Sequence, residues 1–360
     1  MNKKILIATG GTGGHVFPAQ ELAKGLGQKG FELLFAGGKL NSNKYFKHGV
    51  FPHQEVSSER LFRGNFLWLI GKGIWEGLRI LRDFSPDLVV GFGSFYTFPI
   101  LVAAKIKKVP IVLFEPNAIP GKVNRFFSRW AMITAIQFSE ASKYMKGSCI
   151  EVKMPTCESK RTDPSQAREY FYLAPDRFTF LVFGGSQGSQ SINHFFSEAM
   201  TLLNKDRSQF QIIHVTGKSE SAESVRQKYK SLGIRSCVKV FEDRMDLAWS
   251  AANLVVCRSG AATLAEQIAF EVPGILIPFP QSADDHQMKN ALFIEKQVGG
   301  AVTCSEKELN VARMNRILEE VLNGTRLKAM HKAILEFKKG DQKSDLCSLI
   351  CQIMNRSTYE

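Results

Sequence analysis

Short apolar runs separated by turn residues set the rhythm of this chain. Ile5–Ala8, Glu32–Ala36, Leu88–Val90 and Ile111–Phe114 come first, followed by Phe178–Phe183, Gln211–Lys218, Val238–Phe241, Leu254–Cys257 and Gly274–Pro278. Runs of this length read as buried strands, and the stretches between them have helical spacing. Buried strands alternating with helices predict parallel, doubly wound sheets whose ligands gather at the carboxyl ends of the strands. The strand ends agree with that rule, being glycine-rich or polar. Around Met154 to Pro164 the periodicity lapses into Pro, Thr, Ser and Asp, as expected of a linker. The α/β pattern then begins again, so we expect two Rossmann-like doubly wound domains, the second starting at residue 162.

Four loops carry the chemistry. The first strand runs into Gly10-Gly11-Thr12-Gly13-Gly14-His15, where glycines let the backbone approach a pyrophosphate and Thr12 adds a hydroxyl. A dinucleotide loop is the rival. The spacing is not GxGxxG, however, and the second strand ends in Gly37-Gly38 where an NAD site wants an acid. His15 is either a general base or a helix-start histidine that only contacts backbone.

The run from Leu254 to Asn290 is the richest. Its strand turns through Arg258-Ser259-Gly260 into a helix opening Ala261-Ala262-Thr263, a seat for phosphate at a helix N-terminus. Glu266 follows about two turns in, where a carboxylate can accept both hydroxyls of a ribose. Asp284-Asp285-His286-Gln287 reads as the cap of a second helix containing Asn290. Gly184-Gly185-Ser186-Gln187-Gly188 repeats the first glycine loop in the second half. The plainer alternative is an ordinary α/β unit with capped helices.

A third pattern is amphipathic. On one helix, Leu67, Ile70, Ile74, Leu78 and Leu81 form a core stripe, while Trp68, Lys72, Trp75, Arg79 and Arg82 share another face. Tryptophan mixed with lysine and arginine suits the headgroup layer of an anionic membrane; the alternative packs both tryptophans inside. Lys122, Arg125 and Arg129 beside Phe126 and Trp130 repeat the mixture.

Composition sharpens this picture. The 360 residues suit about two domains. The net charge of +13 is uneven, because residues 1–160 carry 22 Lys and Arg against 11 Asp and Glu. A basic half joined to a near-neutral half suggests an anionic partner. No run of eighteen or more apolar residues appears, and Met1-Asn2-Lys3-Lys4 leads straight into a strand. Seven cysteines without a CxxC pair fit a reduced chain.

Gly10-Gly11-Thr12-Gly13-Gly14-His15-Val16-Phe17-Pro18, Gly184–Gly188, Cys257–Ala261 and the run from Asp285 through Asn290 together resemble the MurG family of UDP-N-acetylglucosamine transferases, in order and along essentially the whole chain. That resemblance implies the glycosyltransferase B fold, two domains facing across a cleft. Residues 1–161 with 340–360 would form the acceptor- and membrane-binding domain, and residues 162–339 the donor domain. It implies transfer of N-acetylglucosamine from UDP-N-acetylglucosamine to undecaprenyl-linked lipid I in peptidoglycan synthesis, at the cytoplasmic face of the bacterial inner membrane. No cofactor, metal or nucleic acid is implied; cell-division or elongation proteins are the macromolecular partners expected.

The family's donor site maps onto Ser186, Phe241, Glu242, Arg258, Ala261, Ala262, Thr263, Glu266, His286 and Gln287, with the backbone from Phe241 to Asp243 toward uracil. Thr12, Gly13, Gly14 and Asn117, on the acceptor half, map to donor binding as well. Gly10, Gly11, Gly93, Ser94 and Asn117 map to the acceptor, and His15 to the catalytic base. The chain departs from the family where Asn-Pro-x-Arg reads Met154-Pro155-Thr156-Cys157, so that a substrate-contacting arginine is missing unless Arg161 substitutes, and where His-Glu-Gln-Asn reads Phe114-Glu115-Pro116-Asn117. No Asp-x-Asp pair is present. The competing readings are a UDP-N-acetylglucosamine 2-epimerase and a membrane-recruiting subunit without chemistry of its own.

Overall fold

The computed structural model describes residues 3–58, 66–155, 161–185 and 188–356. The chain divides into two units, Met1–Thr156 with Lys343–Glu360, and Cys157–Gln342. The first unit holds seven parallel strands: β1 (Lys4–Ala8), β2 (Glu32–Gly37), β3 (His53–Glu55), β4 (Leu88–Gly91), β5 (Ile111–Glu115), β6 (Ile133–Ile136) and β7 (Cys149–Glu151). Their order is β3-β2-β1-β4-β5-β6-β7. Helices α1 (Gly13–Gln28), α2 (Phe66–Phe84), α3 (Phe98–Lys107) and α4 (Lys122–Phe127) belong to the same unit.

The second unit repeats the plan. Helix α5 (Pro164–Tyr170) leads into strands β8 (Phe178–Phe183), β9 (Phe210–Val215), β10 (Arg235–Lys239), β11 (Leu254–Cys257), β12 (Gly274–Leu276) and β13 (Ala301–Thr303). Their order is β10-β9-β8-β11-β12-β13. Between and after them run α6 (Gln190–Leu202), α7 (Ser219–Ser231), α8 (Met245–Ala251), α9 (Ala261–Ala269), α10 (His286–Phe293), α11 (Val311–Val321) and α12 (Gly324–Gly340). Both units are therefore Rossmann-like and doubly wound, as the alternation of elements required. The last helix, α13 (Leu346–Arg356), rejoins the first unit. There Cys347 Sγ would lie 3.2 Å from any Cβ added at Gly25 of α1.

Central strands are apolar throughout because both faces are covered: Ile5, Leu6, Ile7 and Ala8, and likewise Leu254, Val255, Val256 and Cys257, have no exposed surface. The strands that the pattern did not announce are short. β6 spans four residues and β3, β7 and β13 three each, and His53-Gln54-Glu55 is polar because it forms a sheet edge.

The core stripe expected on α2 needs correction. Ile70, Ile74 and Leu78 are only half-buried, whereas Gly73, Gly77, Ile80 and Leu81 are buried. A Cβ at Gly73 would lie 2.0 Å from the Ser57 carbonyl oxygen, and one at Gly77 3.1 Å from Ala103 of α3. Close approach through the two glycines shifts the buried face toward Gly73, Gly77 and Ile80, while Leu81 of the expected stripe stays in the core and Leu78 packs against its edge. Trp68 and Trp75 are 67% and 61% exposed, so the reading that packed both inside is wrong. The Leu67 side chain lies outside the described residues.

Candidate functional site

In each sheet the strand order reverses at one place, between β1 and β4 and between β8 and β11. Chains leaving the carboxyl ends of two such strands part in opposite directions and open a crevice, the usual ligand seat of this architecture.

In the first unit the crevice is lined by the loops after β1 and β4. Gly11 has φ +88°, and Gly93 and Ser94 have φ +73° and +75°, a left-handed backbone that a serine adopts only when its surroundings hold it. Gly37 and Gly38, which stand where a dinucleotide site wants an acid, serve packing. A Cβ at Gly37 would fall 1.7 Å from the Thr9 carbonyl oxygen, and one at Gly38 1.6 Å from Ser58 Oγ.

Thr12 caps α1 without a side-chain hydrogen bond, and it and Gly14 are exposed at the helix start. His15 sits in the first turn, half-buried. Its Nδ1 lies 2.8 Å from the Phe92 carbonyl oxygen, and its own carbonyl accepts from Thr9 Oγ1 at 3.1 Å. A carbonyl only accepts, so Nδ1 carries the proton and Nε2 is the basic nitrogen of the neutral ring. The backbone contact that served as the alternative reading of His15 thus sets the tautomer a base would need.

Asn117 is placed by Glu115, which the MurG resemblance retained. The buried Glu115 carboxylate accepts from the backbone N–H groups of Asn117 and Gly121, each at 3.0 Å, and from Asn117 Nδ2 at 3.2 Å and Asn124 Nδ2 at 2.9 Å. Burial raises its pKa, and these four donors pull against that rise. Asn124 was not singled out from the sequence, because a lone amide in a helix carries no pattern.

In the second unit the crevice is lined by the loop after β8 and by Arg258-Ser259-Gly260 after β11. Ser186 lies outside the described residues. The side chain of Ser189 caps α6 by accepting from Ile192 N at 3.3 Å. Gly260 caps α9 with no side chain to offer, and Ala261, Ala262 and Thr263 form its first turn. Glu266 lies half-buried on this helix, where Trp249 Nε1 donates to its Oε2 at 2.9 Å. Burial raises its pKa to about 7, against the pull of the indole hydrogen bond. Trp249 escaped the sequence reading because an aromatic residue in a short apolar helix looks like core.

Arg258 is almost fully buried, and both of its terminal nitrogens are engaged. Nη1 donates to the carbonyls of Ile277 and Pro278 at 3.2 Å each and pairs with Glu306 Oε2 at 2.5 Å; Nη2 donates to Ser189 Oγ at 2.8 Å. The guanidinium therefore ties the β8 loop to the end of β12. Arg161, the one arginine weighed as a replacement for Cys157, pairs with Glu271 at 2.5 Å, which Lys338 also contacts at 2.8 Å.

The Gln287 Oε1 atom accepts from Phe279 N at 2.9 Å, and the Gln287 carbonyl accepts from Ser259 Oγ at 2.7 Å. His286 Nδ1 lies 2.8 Å from the Ala283 carbonyl oxygen. The expected aspartate cap is corrected: Asp284 and Asp285 have φ +52° and +55°, and Asp285 makes no side-chain cap bond. A capping carboxylate reaches the first-turn amides from extended backbone, not from this left-handed one. Phe241 is 54% exposed on the loop after β10, while the buried Glu242 accepts from Lys239 Nζ at 2.6 Å and Arg244 N at 2.8 Å.

Residues 5–136 match the glycosyltransferase family 28 N-terminal domain, and residues 179–345 match its C-terminal domain. A protein of Protochlamydia amoebophila (strain UWE25), named UDP-N-acetylglucosamine--N-acetylmuramyl-(pentapeptide) pyrophosphoryl-undecaprenol N-acetylglucosamine transferase, is 42% identical over 97% of this chain and 96% of its own. The protein of the same name from Halothermothrix orenii is 33% identical over 96% and 98%. The crystal structure of Acinetobacter baumannii MurG shares the fold with a TM-score of 0.78 at 24% identity, covering 98% of this chain and 99% of that one. With both domains of the family matched in order, and relatives of this identity along nearly its full length, the chain belongs to the MurG family within glycosyltransferase family 28.

Proposed function

We propose that this protein transfers N-acetylglucosamine, with inversion, from UDP-N-acetylglucosamine to the 4-hydroxyl of undecaprenyl-pyrophosphoryl-N-acetylmuramyl-pentapeptide. The observation that carries this reading is the 42% identity, across both domains, to a protein named for that reaction. An epimerase or a subunit without chemistry has no comparable support.

The residues at the two switch points fit the chemistry. The acceptor hydroxyl attacks C1 of the sugar and passes its proton to His15 Nε2. The bond from C1 to the diphosphate oxygen breaks, and its electron pair leaves with UDP. The dipole at the start of α9, with the Ser186 hydroxyl, stabilises the charge that develops on the diphosphate. Each such donor lowers a barrier by about 2.7 to 4 kcal/mol. Glu266 accepts from the ribose hydroxyls, and the backbone from Phe241 to Asp243 receives the uracil. Arg258 acts by holding the β8 loop in place. Thr12, Gly13, Gly14 and Asn117 position the sugar and the acceptor.

The acceptor is a lipid, and two exposed patches of the first unit suit an anionic bilayer surface. Trp68 and Trp75 stand exposed on α2 among Lys72, Arg79 and Arg82, with Lys72 Nζ 5.6 Å from the Trp68 ring. Phe126 and Trp130 repeat the mixture, with Lys105 Nζ 3.3 Å and Arg129 5.1 Å from the Trp130 ring. Such aromatic and cationic mixtures favour the headgroup layer. No helix among the described residues is long and apolar enough to cross a membrane.

The deciding experiment mixes the purified chain with UDP-N-acetylglucosamine and lipid I and follows UDP release and the disaccharide product. Release dependent on lipid I is expected; its absence overturns the reading. Flotation with anionic and with neutral vesicles tests the surface, the expected result being co-flotation with the anionic ones alone.

A further inference from the structure

Trp249 is buried between two aromatic rings, and its one polar atom is aimed at the candidate donor-site carboxylate. It is 1% exposed on α8. Its ring meets Phe183 edge-on at 5.7 Å and 88°, and lies nearly parallel to Phe270 at 6.3 Å and 17°. Phe183 is the last residue of β8, directly before the glycine loop, and Phe270 follows the end of α9. The ring is thus gripped by the two elements whose ends carry the candidate donor site. From that position Nε1 donates to Glu266 Oε2 at 2.9 Å.

A glutamate side chain has three rotatable bonds, and holding it in one arrangement costs conformational entropy. The indole N–H only donates, so it fixes Oε2 as an acceptor without adding a charge that would compete for the carboxylate. Oε1 and the remaining lone pair of Oε2 keep their capacity to accept.

We propose that Trp249 is a positioning residue for donor recognition, aiming the Glu266 carboxylate at the ribose hydroxyls of UDP-N-acetylglucosamine through its indole N–H. The inference rests on the reading of Glu266 as the ribose acceptor. A contact that merely filled the core would leave ribose selectivity untouched when the N–H is removed.

The test compares binding of UDP and 2′-deoxy-UDP by titration calorimetry on the full chain. The wild type is expected to prefer UDP by about tenfold or more, since losing a hydroxyl leaves a partly buried acceptor unpaired. Glu266→Gln should collapse that preference, and Trp249→Phe, which keeps a ring in the stack, should reduce it to about threefold or less. Because Trp249→Phe leaves a gap, the sulfur isostere benzothienylalanine at position 249 serves as the second variant; it preserves ring shape and lacks the N–H. If Glu266→Gln leaves the preference intact, the ribose reading of Glu266 fails. If Glu266→Gln abolishes it while the benzothienyl variant melts cooperatively and keeps it, the positioning role of Trp249 is overturned.

Discussion

The imidazole Nδ1 of His15 and the carbonyl oxygen of Phe92 lie 2.8 Å apart, although 77 positions separate them in the chain. β1 and β4 pair side by side, so the loop after one is delivered to the loop after the other. The contact leaves Nε2 as the proton acceptor of the neutral ring. His15→Gln should lower turnover by about 100-fold or more, the usual range for a general base, while UDP affinity by calorimetry stays within about twofold. Normal turnover in that variant would remove His15 from the mechanism.

Glu266 makes donor binding sensitive to pH near neutrality. Burial lifts its pKa to about 7, and the ribose hydroxyls are best accepted by the ionised form. Affinity should therefore rise as pH increases through this value. UDP binding at pH 6 is expected to be up to roughly tenfold weaker than at pH 8, as one titrating group allows. In Glu266→Gln the profile should be flat and weak throughout; a slope that persists there belongs to another group.

Arg258 joins four segments, and its removal leaves Glu306 facing a buried gap. Burial pushes the Glu306 carboxyl up, but hydrogen bonds from Arg258 and Ser191 and the guanidinium charge hold it below the usual range. Arg258→Ala should cost about 3 kcal/mol in chemical denaturation, because an ion loses its partner. Arg258→Lys should recover little of this, since a single ammonium cannot reach Ser189, Ile277, Pro278 and Glu306 together. Combining Arg258→Met with Glu306→Gln should be milder than Arg258→Ala alone. Full stability in Arg258→Lys would refute the clamp.

His214 sets an acid limit on the second unit. Wholly buried, it lies 2.7 Å from the Tyr229 hydroxyl and 3.0 Å from Asn193 Oδ1, and burial lowers its pKa to about 3. The unfolded chain takes up a proton below about pH 6.5 that the folded one refuses, so stability falls as pH drops from there toward 3. The slope due to this residue is about 1.4 kcal/mol per pH unit. His214→Gln should be less stable than the wild type at pH 7 yet show a shallower decline between pH 6.5 and 4. Parallel declines would mean that His214 is protonated in the fold.

Much of this architecture is legible from local pattern. Apolar runs of three to six residues ending in glycine or polar loops announced most strands of both sheets, the carboxyl-end loops and the helix start at Gly260, whereas the first helix, expected from about Pro18, begins at Gly13. These features depend on backbone preference and on amphipathy within a few turns, information that neighbouring residues carry by themselves. The polar edge strand β3 went unseen because three residues show no period, and the buried face of α2 was misjudged because Gly73 and Gly77 contribute no hydrophobicity to a pattern.

The partners of the functional side chains are another matter. His15 with Phe92, Trp249 with Glu266, and Arg258 with Ser189 and Glu306 are pairs brought together by strand order, across 17 to 77 positions. A sequence states which residues can accept, donate or titrate. Which of them meet, and how far burial shifts their charge, depends on the packing of elements remote in the chain, because hydrogen bonds and desolvation act over a few ångströms of space.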